Sequence, residues 1–94
     1  MSYGVEFDEP ASITFYSWDL PLAVIDEIER RFAEELSERP TQVLRDIGNT
    51  MQYVCRVVER GDNPVVHICL FYIRYSRDEQ TLIIWDCYYF PLRP

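Results

Sequence analysis

From residue 51 onward, apolar and polar positions alternate with a period of two. Three runs, "MQYVCRVVER" (51–60), "PVVHICLFYIRYS" (64–76) and "TLIIWDCYYF" (81–90), read as strands. The joining segments "GDN" (61–63) and "RDEQ" (77–80) are built from residue types that turns select. Upstream the period becomes helical. In "LPLAVIDEIERRFAEELSER", Leu22, Ile25, Ile28 (or Glu29), Phe32 and Leu36 form an apolar stripe, with Asp26, Glu27, Arg30, Glu34 and Glu38 opposite. Asp19 is the expected cap, and Pro21 is tolerated in the first turn. Pro40 separates this helix from "TQVLRDIGN", read as a short second helix with Val43, Leu44 and Ile47 inward and Gly48 or Asn49 as its stop. "SITFYSW" (12–18) reads as a first strand with Ile13 and Phe15 on one side. The expected order is β-α-α-β-β-β in a single domain over 1–94, with short irregular termini. The fold class is α+β, a helical hairpin packed on one face of a twisted antiparallel sheet.

The short turns suggest a register. Ser76 opposite Thr81 places Tyr72 opposite Trp85 and Leu70 opposite Cys87. Glu59 opposite Val65 places Cys55 opposite Cys69 and Arg56 opposite Ile68. Alternation then gives one face Tyr53, Cys55, Cys69, Phe71, Ile73, Leu82, Ile84 and Tyr88, together with His67 and Asp86; this face suits the helical stripe. The other has an apolar floor that includes Val54, Ile68, Leu70 and Cys87, decorated by Gln52, Arg56, Tyr72, Arg74, Trp85 and Tyr89. A slip of one residue exchanges the two sets. A bare apolar face invites association, so a second copy, a partner protein or a ligand is expected there. Gln52, Tyr72, Trp85 and Tyr89 are the candidate partner-binding residues. Asp86, a carboxylate in an apolar run, is expected to be paired or solvent-accessible; Arg56 and Arg45 are its candidate partners, and the register picks neither.

Composition narrows the class. A hydrophobic fraction of 48% excludes intrinsic disorder. No apolar run approaches the ~20 residues of a membrane span, and the acidic N-terminus is unlike a signal peptide, so a soluble cytoplasmic protein is the expectation. Cys55, Cys69 and Cys87 include no C-x-x-C pair and read as small buried hydrophobes. With one histidine, His67, no zinc site and no cofactor are expected.

Charge is uneven. The net charge is −7, and all nine basic residues are arginine. Residues 1–38 carry ten acids against Arg30 and Arg31, giving −8; residues 39–94 carry six acids against seven arginines, giving +1. Such a balance disfavours a free-standing nucleic-acid binder. The acidic face of Asp26, Glu27, Glu34, Glu35 and Glu38 reads either as a solvated surface or as a carboxylate array offered to a basic partner. In the second case the protein is a non-enzymatic inhibitor or nucleic-acid mimic, with salt-sensitive affinity.

Two passages, "RPTQVLRDIGNTMQYVCRV" and "LFYIRYSRDEQTLIIWDC", give a family likeness. The element order and the Tyr-Arg-hydrophobic-x-Tyr type strand, acidic turn and hydrophobic last strand resemble the RelE/ParE toxin superfamily over residues 12–90. For RelE-like members the resemblance implies a metal-independent endoribonuclease that cleaves mRNA on the ribosome. Such a site deprotonates a 2′-hydroxyl, stabilises phosphate charge with cations and protonates the leaving oxygen. By that resemblance Arg56, Arg74 and Tyr89 (or Tyr88) are the candidate catalytic residues. The chain departs from the pattern: it has no lysine, Val54 stands where a basic residue is frequent, and no basic residue follows the last strand until Arg93. Arginine stays protonated and is a poor general base. ParE-like members inhibit gyrase and need no nuclease constellation. Both branches imply an antitoxin-like partner. The expectation is therefore a divergent member acting mainly through protein contacts; a structural homodimer is a further alternative.

Overall fold

The computed structural model describes residues 2–93. Strand β1 (Gly4–Phe7) is followed by helices α1 (Glu9–Ser17) and α2 (Leu22–Arg31), and α2 continues into a π turn (Phe32–Leu36). A short helix α3 (Pro40–Val43) leads to the two-residue strand β2 (Arg45–Asp46) and then to strands β3 (Met51–Glu59), β4 (Val65–Tyr75) and β5 (Thr81–Leu92). The α+β class holds. The sheet, ordered β1-β5-β4-β3-β2, is mixed rather than antiparallel, because β1 runs parallel to β5.

The N-terminal third differs most from the sequence expectation. "SITFYSW" is not a strand but most of α1. Asp8 caps that helix, its carboxylate accepting from the Ala11 amide at 3.0 Å, and Pro10 occupies the first turn. Ala11 and Phe15, four residues apart, are its buried pair. The first strand lies earlier, at "GVEF", with Val5 and Phe7 packed on the core.

Asp19 does not cap α2. It sits in the connection at φ 52°, the left-handed region that Asp tolerates better than most residues, and Pro21 holds the cap position. The inward stripe is Val24, Ile28, Phe32 and Leu36, whereas Leu22 is 73% exposed. The π turn re-aims the chain: the Ser37 amide donates to the Phe32 carbonyl at 2.9 Å. The expected second helix is only the single turn of α3. Leu44 is already extended, Arg45 and Asp46 pair with β3, and Ile47 is exposed.

The meander follows the expected pairing between β3 and β4, with Cys55 opposite Cys69 and Arg56 opposite Ile68. Between β4 and β5, Tyr75 pairs with Leu82 and Ile73 with Ile84, but Tyr72 then pairs with Asp86. Trp85 is thus the extra residue of a β-bulge, and every residue beyond it changes face. Cys87 is buried and Tyr89 packs on the core, while Asp86 and Tyr88 turn to the opposite side. The expected placements of Asp86, Cys87, Tyr88 and Tyr89 are therefore reversed. α1 lies against β5 and α2 against β3, so all helical cover is on one side of the sheet.

Candidate functional site

The side of the sheet away from the helices is open along β3, β4 and β5. Reading across β5, β4 and β3, its rows are Tyr88–Leu70–Val54, Phe90–Ile68–Arg56 and Leu92–Val66–Val58. Tyr88 is 48% exposed, Phe90 50% and Val54 50%, and no helix crosses them. One more row holds Asp86, Tyr72, Gln52 and Arg45. Polar contacts order this row: Gln52 Nε2 donates to Tyr72 Oη at 3.3 Å, and Trp85 Nε1 donates to Thr50 Oγ1 at 2.9 Å. The Tyr72 ring lies 6.0 Å from Trp85 and 5.7 Å from Tyr88. Asp86 meets neither Arg56 nor Arg45. Its carboxylate accepts from the Cys87 amide at 2.9 Å and from the Tyr88 hydroxyl at 3.0 Å, which pushes the Tyr88 phenol pKa up.

The partner-binding candidates Gln52, Tyr72 and Trp85 thus lie together on the open face; Tyr89 does not. The catalytic candidates are not brought together. Arg56 stands opposite Ile68, six residues along β4 from Arg74. At the rise of an extended strand that is about 20 Å, too far for both to hold one phosphate. Tyr89 points to the helical side, stacked on Trp18 with centroids 5.3 Å apart.

Tyr89 belongs instead to a cleft of about 590 Å³ at one end of the sheet, between the α1–α2 connection and the β3–β4 turn. Its wall holds His67, only 4% exposed. His67 Nε2 lies 2.9 Å from Glu59 Oε1, and Nδ1 lies 2.6 Å from the Tyr89 hydroxyl. With Nε2–H donating to Glu59, Nδ1 accepts the Tyr89 proton. Burial pushes the Tyr89 phenol pKa up, in keeping with a protonated donor. Both ring nitrogens are therefore engaged, and the trio ties β3, β4 and β5 together rather than offering a free base. The pairing follows from the register beyond the bulge, where Tyr89 falls opposite Cys69, two residues beyond His67 on the same strand face.

The thiols are also poorly suited to nucleophilic chemistry: burial pushes Cys55 and Cys87 to about 11 and Cys69 to about 12. No group of three or more His, Cys, Asp or Glu side chains among the described residues is arranged to hold a metal ion. No helix of the described residues is long and apolar enough to cross a membrane.

On the acidic face, Asp26 and Glu38 are exposed, but three of the five carboxylates have partners within the chain. Glu27 accepts from Arg30 and Arg31, and these bonds hold its carboxyl at about 2. Glu34 accepts from Arg30 at 2.6 Å, and Glu35 accepts the Tyr53 hydroxyl at 2.7 Å. No protein-family model, curated protein or solved structure matches the chain.

Proposed function

We propose that this chain is a divergent RelE/ParE-like protein that works by protein contact, its working surface being the open face of the sheet. The observation that carries this reading is the unbroken apolar field from Val54 through Leu70 to Tyr88, continued by Phe90 and Leu92, on a sheet covered on its other side only. A monomer rarely leaves so contiguous a patch in water without using it. Aromatic side chains are the residue types that anchor interfaces. The separation of Arg56 from Arg74, and the placement of Tyr89 behind the sheet, favour contact over mRNA cleavage.

Two measurements test this. Ribosomes programmed with mRNA and mixed with the purified chain are expected to show no cleavage; cleavage that disappears in Arg56→Ala/Arg74→Ala overturns the reading. Hydroxyl-radical labelling should modify Trp85, Tyr88 and Phe90 readily in nanomolar purified protein and much less inside cells. Equal labelling in both settings also overturns it.

A further inference from the structure

We propose that the open face is covered by the same face of a second copy, the two sheets stacked about a two-fold axis that runs along β4. The proposal rests on the reading of this face as the working surface and names its occupant.

Size complementarity is the first argument. In three successive rows β5 presents the large side chains Tyr88, Phe90 and Leu92, and β3 presents Val54, Arg56 and Val58. Rotation about β4 exchanges the positions of β5 and β3. Tyr88 of one copy then lies over Val54 of the second, and Leu92 over Val58. Phe90 lies over Arg56, whose stem is apolar and whose guanidinium favours an aromatic face. Large side chains thus oppose small ones on both sides of the axis, the pattern by which stacked layers interdigitate. Val66, Ile68, Leu70, Tyr72 and Arg74 of β4 meet their own counterparts at the axis, and the two Arg74 side chains are the like-charge pair that this axis brings together. A two-fold axis across the strands would instead stack β5 on β5 and leave Val54 facing its own strand, wasting this match.

Charge supports the same axis. Arg45 lies on the β2 edge in the row of Asp86, and Glu6 lies on the β1 edge beside Ile83. None of the three forms an ion pair among the described residues. The rotation carries Arg45 of each copy towards Asp86 and Glu6 of the other. The acidic helices end up on the outside of the assembly. Two sheets about 10 Å apart separate them, with side chains on either side, beyond the screening length of about 8 Å in physiological salt. The three long strands, widened at one end by the short β1 and β2, offer a footprint of roughly 15 by 30 Å, which side-chain relief brings to about 600 Å² per partner, the low end of specific interfaces.

Sedimentation equilibrium at tens of micromolar is the test. The wild-type chain should sediment as a dimer, and Tyr88→Asp and Val54→Lys, both at exposed positions, should each raise the dissociation constant about thirtyfold or more while far-ultraviolet circular dichroism stays unchanged. The arrangement is read by thiol cross-linking with a short bifunctional reagent, the native cysteines being buried. Val54→Cys mixed with Tyr88→Cys should couple; Val54→Cys alone should not. Self-coupling of Val54→Cys, with no mixed product, overturns the axis. A wild-type monomer overturns the dimer; if labelling in cells still protects Tyr88, the contact reading stands with another occupant. A dimer that survives both face substitutions overturns the proposal and shows that this face is not the contact.

Discussion

Phe71 and Leu70 are neighbours on β4, yet they live in different solvents. Phe71 is fully buried, with the rings of Phe7, Phe15, Trp18, Phe32 and Tyr53 all within 6.3 Å of its own. Leu70, one residue earlier, looks out between Val54 and Tyr88 on the side no helix covers. A strand whose two faces are both apolar is what a sheet buried on both sides requires. The helices supply one cover; the proposed second copy supplies the other. On that proposal, folding energy and binding energy fall on opposite faces of the same three strands.

The difference is measurable by truncation. Phe71→Ala should cost about 3–5 kcal/mol in chemical denaturation, because it removes the ring around which the covered face is packed. Leu70→Ala should cost the dilute chain less, about 1–2 kcal/mol, since its side chain keeps part of its surface in water. If the association proposed above occurs, the Leu70→Ala penalty should grow with protein concentration while that of Phe71→Ala stays constant. Equal penalties at low concentration would remove the distinction between the faces.

Much of this was legible in the pattern, for physical reasons that also explain the errors. The β3–β4 register could be read because β3 alternates strictly, with Tyr53, Cys55 and Val57 buried and Val54, Arg56 and Val58 exposed, and because the turn is short. The β5 run "LIIWDCYYF" is apolar at nearly every position, so alternation carried no phase there, and nothing announced the bulge at Trp85. That single extra residue inverted Asp86, Cys87, Tyr88 and Tyr89, and with them the assignment of Tyr89 to the open face. β1 escaped notice because it has four residues and a parallel partner far along the chain. α1 carries conflicting signals: Ile13, Thr14 and Phe15 favour strands, whereas the Asp8–Glu9–Pro10 start, a cap followed by an early proline, is a helix signal. Of the candidate site, Gln52, Tyr72 and Trp85 were legible as a surface group. The Glu59–His67–Tyr89 trio depended on a register that only the fold supplies.

That trio brings polar groups into the covered face: among the described residues, His67 is the only buried polar or charged one. It therefore sharpens the comparison. His67→Leu should cost about 1–2 kcal/mol, because the Tyr89 hydroxyl loses its acceptor in a half-buried site. Adding Tyr89→Phe should recover part of that loss, since removing both partners is cheaper than orphaning one. Urea denaturation of the two single variants and the double variant measures the coupling; strictly additive effects would show that the hydrogen bond contributes nothing.

The smallest effect belongs to the helical surface farthest from the open face. The Glu27 side chain is 28% exposed, and its carboxyl falls from 4.5 to about 2 through hydrogen bonds from Arg30 first and Arg31 second. A carboxylate whose folded pKa is depressed contributes stability that is present above its unfolded value and lost as pH falls through the folded one. The contribution of Glu27 should therefore be constant near neutrality and disappear between about pH 4.5 and about 2. Because the pair is exposed, salt should shrink it at every pH. The urea midpoint of the wild type should exceed that of Glu27→Gln slightly at neutral pH and in low salt, with the gap closing on acidification and again in molar salt. A gap that widens in acid would reverse the sign of the linkage. A gap that survives molar salt would mean that Glu27 acts through packing rather than charge, and the helical surface would then resemble the sheet faces more than its charge pattern suggests.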